Sequence, residues 1–158
     1  MRPAVLLALG CVAGLLVVAT LAGGAERTRP ASMQVVDAWA RPAPMLMPQA
    51  GRMRADTGNG ALYVTLRNGG SEPDALLGAT SDAAEHVELH ETIRDGDVMR
   101  MRPVARLEIP AGTALAMQPG GLHIMLINLK RALRPGDRVQ VTLTFAHAAP
   151  LSLEVPVR

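Results

Sequence analysis

The sequence predicts an all-β protein, an antiparallel Greek-key sandwich or barrel of eight or nine short strands. After residue 32, short runs of alternating apolar residues follow one another along the chain. Clusters of Gly, Pro, Asn and Asp separate these runs at nearly regular intervals, which is typical of such a domain. No stretch shows the longer apolar period of an amphipathic helix. One domain is expected, because the chain has 158 residues.

Each strand prediction depends on a local pattern. Segment 33–41 is predicted to be a strand, and the Pro- and Gly-rich segment 41–60 after it is predicted to be a loop. Segment 61–68 alternates and ends at the turn GGSEPD. Segment 75–86 is ambiguous, because its Ala and Leu residues also suit a helix. The remaining strand candidates are 86–93, 98–104, 107–110, 113–117, 122–129, 138–147 and 151–157.

The N-terminal segment differs from the rest of the chain. Arg2 precedes an uncharged, mostly apolar run that ends in small residues, as in a secretory signal. We therefore predict a signal peptide over 1–25, a linker over 26–32 and the folded domain over 33–158. The alternative is an uncleaved membrane anchor, since the apolar run is long enough to span a bilayer. Cleavage would remove Cys11, the only cysteine, and leave no thiolate ligand.

Composition argues against nucleic acid as a partner. The net charge is only +2, so the electrostatic attraction to a polyanion is weak. The aromatic residues are Trp39, Tyr63 and Phe145, too few for a surface on which bases stack.

A hairpin is predicted around Asp95-Gly96, a dipeptide that favours a two-residue turn between alternating runs. With these residues at the centre of the turn, His90 lies opposite Met101. Directly opposed side chains have Cβ atoms roughly 4.5–5.5 Å apart. His90 also shares the outer, more polar face with His86 and Glu88.

A second histidine–methionine pair lies at 123 and 125. His123 and Met125 are two residues apart, so they point to the same face of a strand, whereas Ile124 and Leu126 point to the other. The turn at 119–121 places the pair near the start of its strand. The two pairs would form one site if their strand ends meet.

Two imidazoles and two thioethers are soft to borderline ligands. Thioether sulfur selects Cu(I) over Zn(II), Mg(II) or Ca(II), and a blue-copper site would need a cysteine. A catalytic zinc site would prefer three His or a His/carboxylate set. Taken singly, a strand Met usually packs in a core and a surface His is usually solvated. The four residues together favour a metal site.

The same four residues carry a family resemblance. The pattern His-x10-Met-x21-His-x-Met at His90, Met101, His123 and Met125 resembles that of the periplasmic copper chaperones called PCu(A)C. Flanking segments over 34–157 are also similar, including DAWARP, YVTLRN, VELHET, DGDVMRMRPV, IPAG, PGGLHIML and LRPGDRVQVTLTF. Two features depart from the family: Glu91 and Thr92 stand where some members have a further Met, and no His/Met-rich tail follows.

The resemblance implies a cupredoxin-like domain that binds one Cu(I) per chain through those four side chains. It also implies a periplasmic metallochaperone, and not an enzyme, that delivers copper to the CuA centre of cytochrome c oxidase. Its partners would be the copper-accepting oxidase subunit and a Sco-type thiol protein. We expect a monomer, either free in the periplasm or anchored to the inner membrane.

Several alternatives stay open. The domain would instead be an envelope interaction module without metal, or a general periplasmic copper storage or resistance protein. A small copper or zinc enzyme would need an acid or base beside an open coordination position, and Glu88 and Glu91 are the nearby carboxylates. Met99 is a spare-ligand candidate, and Trp39 is expected in the core. Other residues of unassigned role are Met45, Met47 and Met53 in the loop, His86, which is expected to be solvated, and His147, which lies near a strand end.

Overall fold

The computed structural model describes residues 32–44 and 58–158, and this part of the chain is all-β and contains no helix. The predicted fold class is therefore confirmed. The ten strands of the described part are β1 (Met33–Ala40), β2 (Gly60–Asn68), β3 (Asp74–Ser81), β4 (Ala84–Asp95), β5 (Val98–Pro103), β6 (Leu107–Ile109), β7 (Ala114–Ala116), β8 (Leu122–Leu129), β9 (Arg138–Phe145) and β10 (Leu151–Pro156). The ambiguous segment 75–86 holds most of β3 and the start of β4.

Three sequence predictions fall outside the described residues. They are the signal peptide or anchor at 1–25, the linker up to residue 31, and the roles of Met45, Met47 and Met53. Within the described ranges, the chain forms no helix of the length and apolar character that a membrane crossing requires.

The strands form two antiparallel sheets. The larger sheet has the order β1-β2-β8-β4-β5, and β7 also pairs with β2. The smaller sheet has the order β10-β9-β3-β6. Strands β4 and β8 are remote in sequence but adjacent in the larger sheet, and this pairing places the candidate site.

The core lies between the two sheets, where apolar residues alternate with residues of the outer face. Leu62 of β2 and both Ile124 and Leu126 of β8 are fully buried. Val141 and Leu143 of β9 meet them from the smaller sheet and are similarly buried. Ile124 and Leu126 thus face the core, and the prediction that His123 and Met125 point to the opposite face is confirmed.

The hairpin between β4 and β5 turns at Gly96-Asp97, one residue later than the sequence suggested. Asp95 pairs with Val98, and Met101 lies opposite Thr92. Gly96 has a φ of 63°, whereas Asp97 does not have a positive φ. A left-handed first central residue alone fits a type II′ turn, in which glycine takes that position.

The predicted opposition of His90 and Met101 is therefore wrong, because His90 lies opposite Pro103. The shift amounts to two residues on β5, so Met101 stays on the same face as His90. It becomes a diagonal neighbour. Such neighbours have Cα atoms roughly 7–8 Å apart, which a long side chain spans.

Asp74 is a buried carboxylate that ties the end of β9 to β3. It is 3% exposed, and its oxygens accept hydrogen bonds from the backbone N–H groups of Ala75, His147 and Ala148 at 2.7, 3.0 and 2.8 Å. Burial acts to raise the pKa of Asp74, but the three backbone hydrogen bonds together outweigh it, so that pKa lies below its usual value.

Asn68 is a second buried polar side chain that holds a loop in place. Its Nδ2 donates to the carbonyl oxygens of Glu72 and Ile109 at 2.8 and 3.2 Å, and its Oδ1 accepts from the Gly70 N–H at 3.0 Å. The side chain is fully buried, so these bonds replace the water it would otherwise bind.

Candidate metal centre

The pairing of β4 with β8 brings the two predicted histidines together. His90 lies directly opposite His123, and their ring centroids are 5.8 Å apart. Met125 lies opposite Glu88 one step further along the same face. The two histidine–methionine pairs thus meet on one face of the larger sheet, as the site hypothesis required.

A cavity of about 330 Å³ opens at this face. It is lined by Met101, His123 and Met125, three of the four predicted ligands. Its other walls are Arg41, Pro42, Ala43, Pro44, Asn59, Gly60 and Ala61. His90 does not line the cavity and lies beside His123 instead.

The four side chains differ strongly in exposure. His90 and His123 are 9% and 5% exposed, and Met125 is half-buried. Met101 lies on the edge strand β5 and is 62% exposed. The imidazoles are therefore shielded from water, while one thioether lies open to solvent.

The hydrogen bonds of the two imidazoles indicate which ring nitrogens carry protons. His123 Nδ1 lies 3.1 Å from the carbonyl oxygen of Gly121, which only accepts, so Nδ1 is the donor. The lone pair of His123 is then on Nε2. His90 Nε2 lies 2.9 Å from Glu88 Oε2. Nδ1 of His90 is buried and has no hydrogen-bond partner within the described part of the chain.

The donor set therefore consists of imidazole nitrogens and thioether sulfurs. Such a set favours a soft monovalent d10 ion over hard cations that prefer oxygen. The described residues contain no group of three or more His, Cys, Asp or Glu side chains arranged to hold a metal ion.

An aromatic row continues from His123 across the sheet. The Tyr63 ring lies 6.4 Å from the His123 ring, and Trp39 lies 4.6 Å from Tyr63. The Arg158 guanidinium lies 5.6 Å from the Trp39 ring centroid. The expectation that Trp39 belongs to the core is wrong, because it lies opposite Tyr63 on the outer face and is only half-buried.

The other histidines and the spare-ligand candidate Met99 lie away from the cavity or open to solvent. His86 is exposed, as expected, and His147 is exposed as well. Met99 is 54% exposed and shares the face of Met101, two residues nearer the turn. Glu88 was predicted to share the face of His90, but its hydrogen bond to that imidazole was not predicted. Its position two residues before His90 on the same face was a readable signal for their hydrogen bond.

Comparison with known proteins identifies the family. A family model described as "Putative lipoprotein LpqE-like" matches residues 33–157. The chain belongs to the LpqE-like family. A putative lipoprotein of Leifsonia xyli, Lxx21020, is 38% identical over 105 residues, which cover 66% of this chain and 63% of the relative. The uncharacterized protein RP573 of Rickettsia prowazekii is 32% identical over 116 residues, 73% of this chain and 60% of that protein. The matches thus span less than two thirds of either relative.

Solved structures similar to this LpqE-like chain are PCu(A)C domains. The copper-bound PCu(A)C domain from PmoF2 has a TM-score of 0.59 and 21% identity, and the match covers 82% of this chain and 94% of that one. At that identity the likeness shows the fold. The Cu(I) form of DR1885 from Deinococcus radiodurans is 30% identical, with a TM-score of 0.56 and coverage of 85% and 83%. The resemblance to the PCu(A)C family and the cupredoxin-like fold are confirmed.

Proposed function

We propose that this LpqE-like chain is a Cu(I) metallochaperone that binds one copper ion through His90, Met101, His123 and Met125. The observation that carries the proposal is the convergence of Met101, His123 and Met125 on one cavity beside His90. With His90, these residues come from β4, β5 and β8, and β8 is remote in sequence from the hairpin of β4 and β5. The likeness to the copper-bound PmoF2 domain and to Cu(I)-DR1885 supports the choice of metal.

The donor chemistry favours the reduced ion. Cu(I) is a d10 ion that accepts a four-coordinate set without a strong geometric preference, and thioethers select it. Because thioethers do not bind protons in the ordinary pH range, Cu(I) would compete with protons only for the two imidazoles.

The uneven exposure of the ligands suits transfer by ligand exchange. Met101 is the most exposed of the four, so an incoming sulfur or nitrogen donor can replace its thioether first. The copper–thioether bond breaks as the bond to the acceptor forms, and copper stays Cu(I) throughout. The buried histidines would be released last. No covalent change of a substrate occurs, so the proposal is for a chaperone and not an enzyme.

The destination proposed for the copper is the CuA centre of cytochrome c oxidase, with a Sco-type thiol protein as a possible co-partner. This step rests on the PCu(A)C resemblance. Export and attachment to the membrane are supported by the lipoprotein names of the family and of the Leifsonia relative. A periplasmic location is proposed on the same basis.

A transfer experiment tests the function. The Cu(I)-loaded chain is mixed without oxygen with the copper-free soluble domain of the oxidase subunit, the two are separated, and the copper in each is measured. We expect copper in the acceptor, and none in an acceptor variant whose cysteine ligands are replaced by serine. A chain that binds one Cu(I) but retains it would overturn delivery and favour storage. A chain that binds no Cu(I) would overturn the whole proposal.

A further inference from the structure

His90 has an unusual hydrogen-bonding environment for a buried imidazole. Its Nε2 contacts Glu88 Oε2 at 2.9 Å, yet its Nδ1 has no partner in the described part of the chain. The residue is 9% exposed, so water does not readily replace that partner. Buried polar atoms are rarely left unpaired, and such an atom calls for a ligand or an ion.

The strands on either side explain why no protein donor reaches this nitrogen. Pro103 lies opposite His90 on β5, and its side chain has no hydrogen-bond donor. His123 lies opposite on β8, and its Nδ1 proton is already directed to the Gly121 carbonyl. The remaining nitrogen of His123 has a lone pair of its own. Two imidazole lone pairs therefore lie on adjacent strands, and the one on His90 is buried without a donor among the described residues.

We propose that Glu88 is a positioning residue that fixes His90 in the tautomer with the proton on Nε2 and so presents Nδ1 to Cu(I). The inference rests on the proposed function of the site. His123 is held in the opposite tautomer by the Gly121 carbonyl and presents Nε2. The two histidines would then bind the same ion through different ring nitrogens.

The local geometry supports a direct role for Glu88. Glu88 and His90 are two residues apart on β4, so both side chains lie on the same face and the carboxylate reaches the ring. A carboxylate that accepts the second N–H of a ligating histidine fixes the ring orientation and increases its basicity. The Glu88 side chain is half-exposed, so its replacement leaves the core intact.

The tautomers are measurable by long-range proton–nitrogen NMR of the uniformly nitrogen-15-labelled full chain. Without copper, we expect the His90 proton on Nε2 and the His123 proton on Nδ1. Addition of Cu(I), which is diamagnetic, should shift Nδ1 of His90 and Nε2 of His123. Copper bound to Nε2 of His90 would overturn the inference, because the ring would have left Glu88.

Two substitutions separate the hydrogen bond from the charge. Glu88→Gln keeps an oxygen that accepts the Nε2 proton, so the tautomer should persist. Glu88→Ala removes the acceptor, so we expect mixed tautomers for His90 and a 10- to 100-fold weaker Cu(I) affinity, as found for outer-shell partners of metal ligands. Preservation of a single Nε2-protonated tautomer in Glu88→Ala would contradict the inference.

Glu91→Ala is the matched control. It removes an equal charge one residue from His90, but that carboxylate pairs with Arg102 at 2.8 Å and lies on the other face of the strand. We expect the His90 tautomer and the affinity to be unchanged. If Glu91→Ala and Glu88→Ala weaken Cu(I) binding equally, the loss of a negative charge near the site explains the weaker binding, and the positioning role of Glu88 is wrong. Failure of the wild-type chain to bind Cu(I) would instead remove the proposed function, whereas binding through His90 Nε2 would leave that function standing.

Discussion

Replacement of Met101 by alanine should separate copper binding from folding. Met101 is 62% exposed, so less than half of its surface is buried in the folded chain. Full burial of a Met side chain contributes about 1.5–3 kcal/mol, so its truncation should reduce the free energy of unfolding by about 1 kcal/mol or less. Loss of a direct donor to copper should weaken Cu(I) binding more than loss of a residue that only contacts a donor. We expect Cu(I) affinity to fall about 100-fold or more, equal to about 2.8 kcal/mol.

The assay is an oxygen-free competition between the chain and a chromophoric Cu(I) chelator, with stability measured by denaturant unfolding of the copper-free protein. Met99→Ala is the matched control, because Met99 is on the same face of β5 and is 54% exposed. Its loss should leave affinity unchanged. Equal affinities of the Met101 and Met99 variants would refute the assignment of Met101 as a ligand.

Four further predictions concern the buried polar side chains of the domain and the hairpin that carries Met101. Asp74→Ala should leave three backbone N–H groups without their acceptor and reduce the free energy of unfolding by about 3 kcal/mol or more. Because the pKa of Asp74 is lowered on folding, its ionised form stabilises the wild type above about pH 4, and this stabilisation should be lost as the pH falls further. The free energy of unfolding of Asp74→Asn should therefore depend less on pH below about pH 4 than that of the wild type. Asn68→Ala should reduce stability by about 2–3 kcal/mol in denaturant unfolding, since it removes bonds to buried carbonyl groups. Gly96→Val places a side chain at a φ of 63° in open space, so backbone strain should reduce the free energy of unfolding by about 1–2 kcal/mol. It should also weaken Cu(I) binding in the same competition assay, because it loosens the hairpin that holds Met101. Gly112→Val, at a φ of 70° in an equally open turn, should reduce stability similarly and leave binding unchanged.

The faces of individual strands were predictable from the sequence, because side-chain direction alternates strictly along a strand. The alternation at 122–126 assigned His123 and Met125 to one face and Ile124 and Leu126 to the other, and the structure places Ile124 and Leu126 in the core. The register of the hairpin was mispredicted, because both Asp95-Gly96 and Gly96-Asp97 suit a two-residue turn. The pairing of Asp95 with Val98, and a positive φ at Gly96 but not at Asp95, show that the second turn forms.

The pairing of strands that are distant in sequence could not be predicted from local sequence patterns either. Nothing near His90 indicates that β8, rather than another strand, lies beside β4, so the direct opposition of His90 and His123 emerged only from the fold. The position of Trp39 was mispredicted for a related reason. A large aromatic residue on a strand favours burial, but the pairing of β1 with β2 places it on the outer face beside Tyr63.

The central claim is that two imidazoles and two thioethers of this chain hold one Cu(I) ion. X-ray absorption at the copper edge of the Cu(I)-loaded protein measures both the oxidation state and the nearest donors. We expect a Cu(I) edge and a first shell of two nitrogen and two sulfur atoms, with one sulfur lost in Met101→Ala and one imidazole lost in His123→Ala. A shell without sulfur, or one that neither substitution changes, would contradict the account.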